Sequence, residues 1–430
     1  MIGLQPSFFD GIFCHDYAQC AIVLEMEAES EFIPDGTVTS PNGFYAGATF
    51  ASIKKEGKDN LDLGILFSKV SATAAALFTT NKIKAAPIIL SQKRIQAERA
   101  TALIVNSGVA NACTSEQGLD DAAEMAALTA KSIGVPTEEV LVASTGVIGQ
   151  RLPMQKVRAG IKQIAHSTDG GHKLARAIMT TDTAPKEAAI TVKTDTDKFT
   201  IGGIAKGSGM VHPDLSTFLC FLTTDAAIEP DFLRSSLKKT MDISFNMVSI
   251  DGDTSTNDMV LIMANGMAEN QTIQANNSIA DTFQQALDNL CVFLAKSIAR
   301  DGEGATKLIE VTVSGTLTAT EARQAARTIT SSPLVKAAIH GNDPNWGRIL
   351  AAAGRSGIEL EETRIDLYLG DICLVKEGRP LPFDQKKAED ILTNTEVRIH
   401  LQLNLGTATA TAWGCDLAEE YVTINSQYTT

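Results

Sequence analysis

Residues 206–226 read KGSGMVHPDLSTFLCFLTTDA: a glycine-rich turn, a proline, then the hydroxyl pair Ser216-Thr217 at the mouth of a nearly unbroken apolar run. The run reads as a buried strand, and what surrounds it decides the fold. On its N-terminal side AAITVKT (188–194) and KFTIGGIAKGSGM (198–210) form a pair of strands, and on its C-terminal side a helix is expected from about Pro230 to Asp242. Further upstream, TALIVNSG (101–108) reads as a strand, LDDAAEMAALTAKSIG (119–134) as a helix closed by glycine, VLVASTGVIG (140–149) as a strand entering a tight turn, and MQKVRAGIKQIAHS (154–167) as a helix.

Downstream, DMVLIMANG (258–266) is expected as a strand. IADTFQQALDNLCVFLAKSIARDG (279–302) is expected as a long amphipathic helix ending at Gly302-Glu303-Gly304. The last hundred residues add LIEVTVSG, RIDLYLG, EVRIHLQLNLG and TATATAWG, all strand-like. This alternation favours an α/β or α+β architecture over an all-β or all-α one; the expected fold is α/β of the α+β sandwich type, with a second, smaller C-terminal α/β domain from about residue 315. Residues 1–36, with Phe8, Phe9, Phe13 and an acidic EMEAESEF run, look unlike the rest and read as an extension without an assignable role.

Composition narrows the function classes. A chain of 430 residues exceeds what one hydrophobic core usually supports. A net charge of -14 argues against a general nucleic-acid binder, because phosphate neutralisation needs a basic face. No apolar stretch is long enough to cross a bilayer, and the absence of Lys and Arg from the first 35 residues leaves no secretory or transit signal, so the expected location is cytoplasmic. The 7 cysteines are widely scattered, lack a CxxC pair and show no metal-like clustering with the 6 histidines. They imply buried thiols in a reducing compartment and no structural zinc.

A threonine hydroxyl needs a base to act as a nucleophile, and no acidic or basic neighbour flanks Thr217. If the Ser216-Thr217 peptide bond is cut, the new α-amino group of Thr217 supplies that base within the same residue. Such an amine titrates at about 7.7–8.0, close to working pH. The plain alternative is a Ser-Thr pair that merely starts a strand. In ASTGVIG, Thr145 and Gly146 offer a hydroxyl and a backbone N–H suited to an oxyanion site, against the alternative of an ordinary turn or cap. The glycines of AKGSGM lack phosphate-loop spacing, and Asp251 and Asp253 in DGDTSTND lack EF-hand spacing, so no metal and no cofactor are expected. The GNDPNWGR stretch reads as a turn rigidified by Pro344 and Gly347 entering a small-residue helix.

Taken together, the segments resemble the ornithine acetyltransferase family, also called glutamate N-acetyltransferase, of the cyclic arginine-biosynthesis route. The matching stretches are ALFTTNKIKAAP (76–87), NSGVANACT (106–114), ASTGVIG (143–149), AIMTTDTAPK (177–186), AKGSGMVHPDLSTFLCFLTTDA (205–226), SIDGDTSTND (249–258), ARDGEGATK (299–307), GNDPNWGRILAAAGRSG (341–357) and the tail YVTINSQYTT (421–430). One departure lies at the reactive stretch, where Leu215-Ser216-Thr217-Phe218 stands in place of the family's usual Met-Ala-Thr-Met.

The resemblance implies self-cleavage between Ser216 and Thr217 into an α fragment (37–216) and a β fragment (217–430), paired as α2β2. It implies an acetyl group carried on Thr217 from N2-acetyl-L-ornithine to L-glutamate. Thr145 and Gly146 would form the oxyanion hole, and Thr180, Lys206, Thr217, Glu303, Asn425 and Thr430 would line the amino-acid site. Read alone, Lys206 is a surface lysine, Glu303 an exposed helix-end carboxylate, Thr180 a helix cap, and Asn425 and Thr430 a fraying tail. His212, close to the cut in sequence, is left out of the catalytic set because the α-amine makes it unnecessary. Two donor sets stay open, acetylornithine alone or acetylornithine with acetyl-CoA. The rivals are a self-processing aminopeptidase or amidase, in which water is the acceptor, and an oligomeric binding protein without catalysis.

Overall fold

The computed structural model describes residues 29–54, 60–212 and 218–427. Ser216, Thr217, Thr430 and residues 1–28 of the N-terminal extension lie outside the described residues. The strands are β1 (Glu29–Phe32), β2 (Phe44–Thr49), β3 (Leu63–Phe78), β4 (Arg99–Asn106), β5 (Val140–Ser144), β6 (Lys186–Lys193), β7 (Lys198–Lys206), β8 (Leu219–Thr224), β9 (Val248–Ser249), β10 (Met259–Ala264), β11 (Leu308–Thr316), β12 (Asp366–Leu369), β13 (Ile372–Lys376), β14 (Arg379–Pro380), β15 (Glu396–Gln402) and β16 (Ala408–Cys415). They form a nine-stranded sheet in the order β1-β6-β7-β8-β10-β3-β4-β5, with β2 also on β3, and a seven-stranded sheet in the order β14-β13-β12-β15-β11-β16-β9. The architecture is mixed α/β, as the alternation of elements predicts.

The apolar run after Thr217 becomes β8, and its composition follows from burial on both faces. Cys220 and Leu222 face one apolar cluster while Leu219 and Phe221 face another, and β10 divides likewise into Val260 and Ile262 against Met259, Leu261 and Met263. A strand covered on both sides has no polar face to alternate with, so its sequence is continuously hydrophobic. The first face packs against helices Pro230–Ile243 and Ile279–Arg300, which supply Leu233, Leu237, Phe283, Leu287, Leu290 and Leu294.

The second face looks across at β4 and β5, which contribute Leu103, Val105, Leu141 and Ala143 to the same cluster. The outer face of β4 and β5, with Ala102, Ile104, Val140 and Val142, is covered by helices Ser115–Ile133 and Met154–Ile161. The result is helices, half-sheet, half-sheet, helices. The two halves are one sheet because β3, 16 residues long, pairs with β2 and β4 through Leu63–Phe67, with β4 again at Ala72 and Thr73 after a register shift, and with β10 from Thr73 to Phe78.

Phe221 is 0% exposed at the middle of this sandwich. Phe221→Ala is expected to cost about 3–5 kcal/mol, as lost transfer energy plus a cavity that rigid strands cannot close. A lower urea midpoint of unfolding checks it; an unchanged midpoint contradicts the two-sided burial of β8.

Local signals explain several element ends. Gly134 closes the 115–133 helix in the left-handed region at φ 76°, where glycine carries no Cβ penalty. Asn345 caps helix Trp346–Gly354 after the Pro344 turn, as the GNDPNWGR reading expects, except that Gly347 falls in the helix's first turn and not in the turn before it. Two expectations change. The helix at 154 stops at Ile161, and the chain turns back so that Ser167 exchanges backbone hydrogen bonds with Ala46. The tail, read alone as fraying, contains helix Glu419–Gln427. Within the unassigned extension, Glu29–Phe32 pairs with Lys193–Ile190 as an edge strand.

Among the described residues no helix is long and apolar enough to cross a membrane. The described cysteines are all free. Cys220, Cys291 and Cys415 are buried as expected, whereas Cys113 is exposed and Cys373 half-buried.

Candidate functional site

The register of the nine-stranded sheet brings several strand ends together. Lys206, the last residue of β7, is opposite Leu219, the first of β8, and Leu219 is opposite Met259, the first of β10. Lys206, Phe218 and Asp258 therefore meet at one edge of one half of the sandwich. Across from it, β4 and β5 end side by side, Asn106 opposite Ser144, and deliver Thr145 and Gly146. A cavity of about 220 Å³ lies between them.

Thr145, Gly146, Thr180, Lys206, Glu303 and Asn425 all line this cavity, together with Phe218, Asp251, Asp253, Asn257, Asp258 and Tyr421. Every candidate residue among the described residues is thus brought to one place; Ser216, Thr217 and Thr430 are not among the described residues. His212 is not in the lining, and its Nδ1 sits 3.1 Å from Ser249 Oγ.

Lys206 is 8% exposed and not the solvated lysine its sequence neighbourhood suggests. Its Nζ donates to Thr180 Oγ1 at 3.0 Å and to Thr145 Oγ1 at 3.3 Å. Burial pushes the amine's pKa down, the Asp182 carboxylate opposes that, and Lys186 adds to it. Because Thr145 Oγ1 accepts from the Lys206 amine, its own O–H proton is not used in that contact.

The turn at Gly146 requires glycine. Its φ is +126°, and a Cβ there would lie 2.3 Å from the carbonyl carbon of Gly108. Asn257, 4% exposed, ties the turn down by donating from Nδ2 to Ala110 O at 2.6 Å and Ser144 O at 2.9 Å. The loop behind it holds three non-glycine residues at positive φ within five positions, Asn111, Cys113 and Ser115. Such strain costs on the order of 1 kcal/mol or more each and persists where surrounding contacts over-determine the backbone.

Glu303 is 7% exposed; the chain turns inward after helix Ile279–Arg300, so the exposed helix-end reading is wrong. Its backbone N–H donates to Ser208 O at 2.8 Å, and its Oε2 accepts from Asn425 Nδ2 at 2.7 Å. Gly209 allows that carboxylate to approach, since a Cβ there would lie 2.5 Å from it.

Asp251 caps the backbone N–H groups of Met210 and Val211 at 2.5 and 3.0 Å and bonds the Tyr421 hydroxyl. Burial pushes its carboxyl up, and the backbone donors pull it back. The phenol of Tyr421 is pushed up by burial and by the charges of Asp251 and Glu303. Among the described residues no group of three His, Cys, Asp or Glu side chains is arranged to hold a metal.

Sequence reasoning missed Asp182, Asn257 and Tyr421. Each sits inside a stretch that marks the family resemblance; Asn257 and Tyr421 act through partners distant in sequence, and Asp182 ties its near neighbours Thr180 and Lys186 to Gly207, 25 residues on.

The ArgJ family model matches residues 45–430. An arginine biosynthesis bifunctional protein ArgJ from Dehalococcoides mccartyi is 51% identical over 405 residues, 94% of this chain and 100% of the relative. Its counterpart from Symbiobacterium thermophilum is 50% identical over 397 residues, 92% and 99% respectively. A crystal structure of arginine biosynthesis bifunctional protein ArgJ from Bacillus halodurans is similar at 46% identity and TM-score 0.47, covering 48% of this chain and 97% of that one. A family model spanning nearly the whole chain, with relatives matched over essentially their full length, means that the chain belongs to the ArgJ family.

Proposed function

We propose that this protein is an acetyltransferase of arginine biosynthesis that moves an acetyl group from N2-acetyl-L-ornithine to L-glutamate through an acetyl ester on Thr217. The observation that carries the reading is the convergence of Lys206, Thr145, Gly146, Glu303 and Asn425 on one cavity also lined by Phe218, the residue after Thr217. Family membership and relatives called arginine biosynthesis bifunctional proteins agree with it.

In this reading the chain first cuts itself. Thr217 Oγ attacks the Ser216 carbonyl, the C–N bond breaks as the acyl group moves to oxygen, and water hydrolyses the ester, leaving a free α-amine on Thr217. That amine then takes the Oγ proton as Oγ attacks the acetyl carbonyl of acetylornithine. The Thr145 hydroxyl and Gly146 N–H hold the developing oxyanion, the amide C–N bond breaks, the proton passes to the departing nitrogen, and ornithine leaves. The α-amine of glutamate attacks the ester, N-acetylglutamate departs, and Thr217 regains its proton.

Lys206 pairs with the substrate α-carboxylate, and Thr180 keeps the lysine aimed. Glu303, positioned by Asn425, faces the amino group that gains or loses the acetyl. Thr430 completes the amino-acid site, the fragments pair as α2β2, and the enzyme works in the cytoplasm.

Incubation with acetylornithine and glutamate tests the reading. Ornithine and N-acetylglutamate are expected in equal amounts and only when both substrates are present. Ornithine release without glutamate would mean water is the acceptor and the protein a hydrolase. A parallel reaction of acetyl-CoA with glutamate reads whether the second donor is used.

A further inference from the structure

Asp182 stands behind the cavity and is not one of its lining residues. Its side chain is fully buried, and both oxygens are used. Oδ1 accepts from Lys186 Nζ at 2.6 Å and from the backbone N–H of Gly207 at 2.8 Å, and Oδ2 accepts from the backbone N–H of Thr180 at 3.0 Å. Gly207 follows Lys206 directly, and Thr180 carries the hydroxyl that holds the Lys206 ammonium. One carboxylate thus fixes both chain segments that aim the lysine. Lys186 is itself shared with Asp301, at 2.5 Å, so the charge of Asp182 is divided between a lysine it touches and a lysine it faces.

We propose that Asp182 is a positioning residue of the transfer site: its buried carboxylate clamps the backbone beside Lys206 and Thr180 and is the fixed counter-charge against which Lys206 holds the α-carboxylate of the acyl donor. The proposal rests on the reading of Lys206 as the donor's carboxylate ligand. A buried ammonium without a counter-charge sheds its proton, and a neutral amine does not pair with a carboxylate. The other charged groups around Lys206 are Lys186, Lys54, Asp258 and Glu303. Lys186 opposes the cation and Asp182 favours it, so removing one or the other must move Lys206 in opposite directions. A merely structural role for the cluster has no such sign.

The test uses the mature enzyme with 13C-labelled lysine, following the Lys206 side-chain resonance, assigned by its loss in Lys206→Met, across pH. Asp182→Asn is expected to move the Lys206 titration to lower pH by about one unit and to raise the KM for acetylornithine about tenfold at the pH where only the variant has lost its proton. Lys186→Met is expected to move the titration to higher pH and to delay the rise of KM with pH. Should Asp182→Asn not fold, Lys186→Met still reads the sign. Titrations that stay at the wild-type pH, or shift the same way in both variants, overturn the proposal. Opposite shifts that the KM does not follow sustain the counter-charge but remove Lys206 from donor binding, overturning the functional reading on which the rest depends.

Discussion

Thr217→Ala is expected to leave the chain whole on a denaturing gel and to lower acetyl transfer by a factor on the order of 10⁴ or more, where the wild type gives two bands of near-equal size and full activity. The argument is that one oxygen serves both reactions. Alanine retains the backbone, the strand and the α-carbon, and removes only the hydroxyl. Without it there is no attack on the Ser216 carbonyl, so no α-amine appears, and there is no atom to carry the acetyl group. The two losses are therefore coupled, whereas a threonine that merely starts a strand would lose neither.

Thr217→Ser separates the requirement for a hydroxyl from the requirement for threonine. It keeps the nucleophile and, once cut, the amine, and is expected to yield both fragments and measurable transfer. A Thr217→Ala protein that still separates into two fragments would falsify the self-cleavage step. A wild-type chain that stays intact yet is fully active would remove the α-amine as the base. Ser216→Ala, which restores the family's usual residue before the bond, is a useful control: the bond should still be cut, since the attacking oxygen is untouched.

The parts of this site that were legible in the sequence are those built from neighbouring residues. A turn ending in Gly146 after a buried strand, and an apolar strand after Thr217, follow from local composition, and the two-sided cover of β8 explains why that composition is so uniform. What sequence alone gave wrongly were the environments. Lys206, Glu303 and Asn425 have ordinary neighbours in the chain, yet the Lys206–Thr145 contact spans 61 residues and the Asn425–Glu303 contact spans 122.

Whether a charge faces water or a cavity is decided by such pairings, which carry no periodic signal. Asp182 shows the same limit more sharply. TTDT reads as capping chemistry, and the aspartate does bind the Thr180 N–H two residues back, but its other oxygen reaches Gly207 25 residues on. The family resemblance supplied the candidate residues, and only the fold supplied their electrostatics.

Those electrostatics bear most directly on the turn at Thr145 and Gly146, the proposed oxyanion donors. Thr145→Ala on the mature enzyme is expected to lower kcat by about 10²–10³ with little change in KM, because a donor aimed at charge that develops only in the transition state contributes nothing to ground-state binding. The alanine also strips Lys206 of one of its two hydroxyl partners, leaving Thr180 Oγ1 at 3.0 Å to hold the ammonium. A KM effect much larger than the kcat effect would therefore mean that Thr145 serves Lys206 and not the oxyanion. Thr145→Ser, which retains the O–H, should recover most of the rate. Gly146→Ala perturbs the same turn by a different route, forcing a Cβ to 2.3 Å from the Gly108 carbonyl carbon. The backbone must then shift and carry the N–H off its line, so kcat should fall although no hydrogen-bonding group has been deleted. If Gly146→Ala retains the wild-type rate, the Gly146 N–H is not an oxyanion donor, whatever Thr145 does.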